Sequence, residues 1–243
     1  MSETLLQTDG LTKTFGALTA NDDITLSVDR GEIRGIIGPN GSGKTTFFNS
    51  LTGFYTPDGG TITFEGTDIT GWEPHKIARQ GVGRTFQIAA PFENMTVRQN
   101  MLAVQTPKDV DEHERAQEIL EFLEIDHIAD DDAGGMSGGQ KKLLGLGRVL
   151  MLDPACILLD EPTAGVNPAL ADRILDHLRE LNDQGTTFMI IEHDMDVLKQ
   201  IVDTVSVLDQ GQHIVQGTFD EVSTDDRVRE AYLGSADDEE VPI

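Results

Sequence analysis

Apolar and polar residues alternate over residues 23–28 (Asp-Ile-Thr-Leu-Ser-Val), which predicts a strand with one face buried. Residues 32–37 are more continuously apolar and end at a glycine-rich turn. Residues 61–65 alternate again, after the turn signal Pro57-Asp58-Gly59-Gly60. The period then changes. Ala116, Ile119, Leu120 and Leu123 fall at i, i+3, i+4 and i+7, which predicts a helix whose apolar face packs on the rest of the chain. Gly134-Gly135 breaks the chain before a second helix over 138–151. The last third alternates strand and helix. It reads as a buried strand at Cys156–Asp160, a helix over 168–182 with Asn167 as N-cap and Pro168 in the first turn, and a strand over 186–191. A helix over 194–202 and a strand at Thr204–Asp209 follow. This succession predicts an α/β fold with a parallel sheet covered by helices. Antiparallel strands gather near the N-terminus. The expected organisation is a single domain over 1–243: a core from 1–87 and 151–234, a helical subdomain at 88–150, and an acidic, frayed tail at 235–243.

Length and composition narrow this reading. A chain of 243 residues with 38% hydrophobic positions can bury a substantial core. No stretch approaches the roughly 20 apolar residues that span a bilayer. The first residues lack a basic run followed by an apolar one. The expectation is a cytoplasmic chain that reaches a membrane only through a partner. The one cysteine, Cys156, cannot form an internal disulfide, and its neighbours Ile157, Leu158 and Leu159 predict a small core residue.

Charge excludes more. Asp and Glu number 43 against 18 Lys and Arg, a formal net charge of −25. Binding to nucleic acid through phosphates needs a basic face, and so does direct adhesion to anionic lipid. Either the acids serve one basic partner or they are a general surface property. Their spread along the chain, from Asp22-Asp23 through Asp130-Asp131-Asp132 to Asp225-Asp226 and 237–240, favours the second. Self-repulsion on this scale destabilises the fold at low salt and is screened at high salt. A cytoplasm of molar salt is therefore expected.

Three segments carry chemistry. Gly38-Pro39-Asn40-Gly41-Ser42-Gly43-Lys44-Thr45 fits the P-loop pattern without mismatch, between an apolar strand and a helix that opens at Thr46. Such a loop wraps backbone N–H groups around phosphate oxygens at a helix N-terminus. Lys44 is expected on the β- and γ-phosphates, and the Thr45 hydroxyl on Mg²⁺. Asp160 closes the buried strand Cys156–Asp160, at the end where ligands collect in parallel sheets. It is the expected partner of Mg²⁺, through water, and Glu161 the residue that orients the attacking water. Met136-Ser137-Gly138-Gly139-Gln140 opens the second helix and offers another anion-binding start.

In these segments the chain resembles the ATP-binding subunits of ABC transporters, over nearly its full length. Met136 stands where that family's signature usually has Leu. Ala164-Gly165-Val166-Asn167 stands where the loop that crosses the dimer usually reads Ser-Ala-Leu-Asp. The resemblance implies a P-loop NTPase core with an N-terminal antiparallel β subdomain and a helical signature subdomain. It implies that Phe15 stacks on adenine, although Phe47 and Phe48 are also available. Gln87 then senses Mg²⁺ and the membrane partner, and His193 contacts the γ-phosphate. Two ATPase subunits, identical or different, close head to tail. Each ATP lies between one P-loop and the other subunit's Ser137, Gly138, Gly139 and Gln140. Permease subunits in the membrane and, indirectly, an extracellular substrate-binding protein complete the implied assembly.

Gly83-Arg84-Thr85-Phe86-Gln87, the run 91–97, Ala164–Pro168 and Ala231-Tyr232-Leu233-Gly234 resemble the ATPases of branched-chain amino-acid importers. ATPases for urea import and lipopolysaccharide export share much of this pattern. A soluble ABC ATPase of DNA repair or translation is the other class. The interval between P-loop and signature has no room for a long coiled coil, the chain has one cassette, and its acidity opposes contact with nucleic acid.

Overall fold

The computed structural model describes residues 3–85 and 91–233. Gln87 and the tail 235–243 lie outside them. The chain forms two compact units, one of Met1–Ile77 with Thr187–Ile243, the other of Ala78–Thr186.

The first unit opens with the long strands β1 (Thr4–Phe15) and β2 (Leu18–Asp29), paired antiparallel. β3 (Ile33–Ile37), buried at every position, leads into helix α1 (Lys44–Leu51). β4 (Gly59–Phe64) pairs antiparallel with β1, and the short β5 (Thr67–Asp68) with β4. These strands form a sheet in the order β2-β1-β4-β5. Leu6, Leu11, Ile24, Val28, Ile62 and Phe64, all fully buried, make its inner face. Helix α2 (Pro74–Gln80) then carries the chain across the boundary between units.

The second unit holds β6 (Val82–Arg84), α3 (Val97–Leu102) and α4 (Glu112–Phe122). α5 (Gly138–Leu150), β7 (Cys156–Asp160) and α6 (Pro168–Asp183) follow. β6 and β7 run parallel, with Arg84 beside Leu158. The expected apolar face of α4 is buried at Ala116, Ile119, Leu120 and Leu123. Asn167 caps α6, its Oδ1 accepting from the Leu170 N–H at 3.0 Å, a bond that stabilises a helix start by about 1 kcal/mol. Cys156 is fully buried, which pushes its thiol up to about 12.

The chain returns to the first unit through β8 (Thr187–Ile191), α7 (Met195–Ile201), β9 (Thr204–Asp209) and β10 (Gln212–Gly217). α8 (Phe219–Ser223) and α9 (Asp226–Leu233) end the described chain. β3 lies between β9 and β8, parallel to both, and β10 runs antiparallel on the outer side of β9. A buried polar network stitches this sheet. Arg34 Nε donates to Glu32 Oε1 at 2.8 Å, Nη1 to Ser206 Oγ at 2.9 Å, and Nη2 to the Ser27 carbonyl at 3.0 Å. Among the described residues no helix is long and apolar enough to cross a membrane.

Candidate functional site

In the first unit, the P-loop and His193 stand at the carboxyl ends of the parallel strands β3 and β8. Ile36 of β3 lies beside Ile191 of β8, so Gly38 and His193 leave the same edge of the sheet, each two residues past the paired position. Ligands bind at this edge in sheets of this kind.

The P-loop is fixed from three sides. A Cβ at Gly38 would stand 2.0 Å from the Leu208 carbonyl oxygen of β9, so no larger residue fits there without moving the strand. Gly211, in the β9–β10 turn, donates its N–H to the Ser42 carbonyl at 3.1 Å and accepts from the Asp22 N–H at 2.8 Å. The fully buried Asn21 of β2 donates Nδ2 to the Gly43 carbonyl at 3.1 Å. Gly43 is the N-cap of α1 and supplies no side-chain bond to it, which leaves the first N–H groups of the helix for a ligand. The buried Lys44 ammonium donates to the carbonyls of Gly38 at 2.7 Å and Pro39 at 2.9 Å. Asn40, Gly41 and Thr45 are exposed, Thr46 half-buried, and Ser42 buried.

Of the three aromatics left open by the sequence, Phe47 and Phe48 are fully buried in α1 and Phe15 is 43% exposed. Phe15 ends β1 with its ring edge-on to Tyr55 at 5.1 Å, and Lys13 Nζ lies 5.5 Å above it. His193 is exposed, and its backbone N–H donates to the Oε2 of the buried Glu192 at 3.2 Å.

The second unit holds the acidic pair and the glycine-rich helix start. Asp160 ends β7 with its carboxylate nearly buried. It forms an ion pair at 3.4 Å with the buried side chain of Arg84, the last residue of β6. Glu161 turns the chain in the left-handed region, at φ 50°, which costs a residue with a side chain about 1 kcal/mol. Its backbone carbonyl accepts from Lys142 Nζ at 2.6 Å. Arg84, Lys142, Asp160 and Glu161 all line one cavity of about 410 Å³.

Ser137 and Gln140 cap α5 reciprocally. Gln140 Oε1 accepts from the Ser137 N–H at 2.9 Å, and Ser137 Oγ accepts from the Gln140 N–H at 3.3 Å. The two glycines between them differ. Gly138 is exposed with open space where a Cβ would stand, whereas a Cβ at Gly139 would lie 2.0 Å from Leu170 Cδ2. Gly139 therefore lets α5 and α6 approach. Ser137 and Gly138 are the exposed part of the motif.

Sequence reasoning gave no role to Arg84, Lys142, Asn21 or Gly211. Arg84 stands inside the quoted run 83–87, where a cation opening an otherwise apolar strand end is itself a signal. The other three depend on contacts between residues distant in sequence.

A P-loop in one unit, and strand-end carboxylates with a capped glycine helix in the other, are the parts of an ATP-binding cassette. Residues 21–164 match the ABC transporter family, and the chain belongs to it. Residues 212–238 match a second family, described as branched-chain amino acid ATP-binding cassette transporter. The chain is 41% identical to the probable branched-chain amino acid transport ATP-binding protein LivG of Archaeoglobus fulgidus, over 97% of both chains. It is 38% identical to the high-affinity branched-chain amino acid transport ATP-binding protein BraF of Pseudomonas aeruginosa, over 97% of this chain and all of that one. A solved structure, the ADP conformation of an ATP-binding cassette of an ABC transporter, superposes with a TM-score of 0.86 at 39% identity. That match covers 96% of this chain and 100% of the other.

Proposed function

We propose that this chain is the ATP-hydrolysing motor of a membrane importer for branched-chain amino acids. The observation that carries this reading is the second family match at 212–238, beside relatives of the same description along almost the whole chain. The motor works as one of a pair of ATPase subunits, bound on the cytoplasmic face to permease subunits that an extracellular binding protein loads.

The family resemblance and the local geometry of each unit support the following roles. Phe15 offers an exposed ring to adenine. The amides of residues 41–46 and the Lys44 ammonium take the phosphates, and His193 takes the γ-phosphate from the neighbouring strand end. Thr45 and Asp160, with Gln87, suit Mg²⁺, since hydroxyl and carboxylate oxygens are the donors a hard cation prefers. Among the described residues no cluster of three or more His, Cys, Asp or Glu could hold a metal alone. That fits an ion held largely by nucleotide oxygens and water. The Arg84 guanidinium beside Asp160 likewise favours contact through water over direct ligation. When bound, Mg²⁺ neutralises charge that builds on the phosphates. Glu161 orients the attacking water. Ser137 and Gly138 present a helix start to the γ-phosphate of the partner subunit's ATP. Positioning and electrostatic stabilisation supply the rate.

The test is recovery of tagged protein from gently solubilised membranes at high salt, followed by mass spectrometry. Multi-spanning permeases, a second ATPase and an extracellular binding protein are expected, and that binding protein should take leucine, isoleucine or valine. Recovery of ribosomal or DNA-associated partners alone would remove transport from the reading and leave the ATPase standing.

The acidic surface belongs to the same proposal as an adaptation to a salt-rich cytoplasm. Thermal melts in 3 M KCl should show a midpoint about 10 °C above that in 0.1 M, a gain of roughly 3 kcal/mol for a chain of this size. A midpoint indifferent to salt would refute the adaptation.

A further inference from the structure

The strained turn at Glu161 is tied to the glycine-rich helix. Lys142 stands on α5, five residues beyond the N-cap Ser137, and its Nζ donates to the Glu161 carbonyl at 2.6 Å. The same carbonyl accepts from the Ala164 N–H at 3.3 Å, which closes the turn, but the ammonium bond is shorter and carries charge. A left-handed residue with a side chain keeps its conformation only where its surroundings enforce it. At Glu161 one of the groups that hold the turn, the Lys142 ammonium, lies 19 positions away in sequence, on another element.

α5 is one continuous helix of 13 residues. Both capping bonds close its start. Towards its end a Cβ at Gly147 would lie 3.0 Å from Met101 Sδ, and its first turn abuts Leu170 at Gly139. From Ser137 to Lys142 is a rise of about 7.5 Å along one rigid helix. A displacement at the exposed start therefore reaches the ammonium undiminished. Lys142 and Glu161 both line the 410 Å³ cavity.

We propose that Lys142 is a positioning residue for Glu161, which links occupancy of the Ser137 helix start to the orientation of the catalytic carboxylate in the same subunit. Engagement of the partner's nucleotide at one end of α5 thereby sets the geometry for hydrolysis of the subunit's own nucleotide. This rests on the role assigned above to Glu161.

The test uses the full chain in its assembled transporter. Lys142→Met keeps the stem and removes the donor, and Lys142→Arg restores a donor. Lys142→Met should lower kcat about tenfold, with KM for ATP within about twofold of wild type and the melting midpoint nearly unchanged. Lys142→Arg should recover most of the rate. Combined with Ser137→Ala, Lys142→Met should cost less than the product of the two separate losses, because both act through one path. A wild-type kcat in Lys142→Met overturns the proposal. So do strictly multiplicative losses, or a joint collapse of kcat, KM and melting midpoint that arginine does not rescue. Glu161→Gln, assayed alongside, separates the two readings. Wild-type turnover there removes the role of Glu161 and the link with it. An inactive Glu161→Gln beside a fully active Lys142→Met removes the link alone.

Discussion

Glu161→Gln should lower kcat by about 100-fold or more, while ATP affinity stays within about twofold of wild type. The substitution keeps size and backbone geometry. The turn at φ 50° and the bond from Lys142 involve backbone atoms, and glutamine leaves both in place. What disappears is the carboxylate proposed to orient and polarise water. A 100-fold loss corresponds to about 2.7 kcal/mol of transition-state stabilisation. Binding survives because the phosphates are held by the P-loop. The variant should accumulate as a closed pair in ATP, visible as a shift to twice the mass on size exclusion. Single-turnover hydrolysis and calorimetric binding check the two halves of the expectation. Wild-type hydrolysis would take Glu161 out of the mechanism.

Lys44→Ala should act at the opposite step. ATP affinity should fall roughly 30- to 100-fold, the scale of losing one or more charge-assisted hydrogen bonds to phosphate. Hydrolysis at moderate ATP should vanish with it. Two effects add here. The ligand loses its cation, and the carbonyls of Gly38 and Pro39 lose the donor that organises the loop. Lys44→Met separates them only in part, since it refills the volume of the stem and leaves those carbonyls without their ammonium. Fluorescent nucleotide titration measures the loss directly. Retained wild-type turnover would exclude the P-loop from the reaction.

Part of this architecture is legible because β3, β7 and β8 are buried at every position and β9 at its four central ones. Cys156–Asp160 and Thr204–Asp209 were read at their observed bounds, and the helices at 138–151 and 168–182 ended one residue from the observed ends. Continuous apolar runs and capping residues made them plain. β1 was missed for a physical reason. Leu5 and Leu6 are adjacent and both buried, and the register shifts several times along β1, so no clean alternation survives in its sequence. β10 was missed because it is an edge strand of mixed, half-buried residues, and β6 because it has three residues. The P-loop and the Asp160-Glu161 pair could be read because their chemistry is local. Other contacts were beyond the sequence. Nothing in it showed that Gly139 abuts Leu170, leaving Gly138 as the open glycine, or that Arg84 faces Asp160.

The sealed state of Cys156 has a practical consequence. A thiol pushed up to about 12 and shielded from solvent is almost entirely protonated at neutral pH, and only the thiolate attacks maleimides and similar reagents. The native chain therefore comes with a silent background for covalent labelling. A cysteine introduced at an exposed surface position would carry a fluorophore or spin label alone, without removal of the native residue from the core. Distances between two such labels, one on each subunit of the proposed pair, would then test for opening and closing through the ATP cycle in an otherwise unaltered protein.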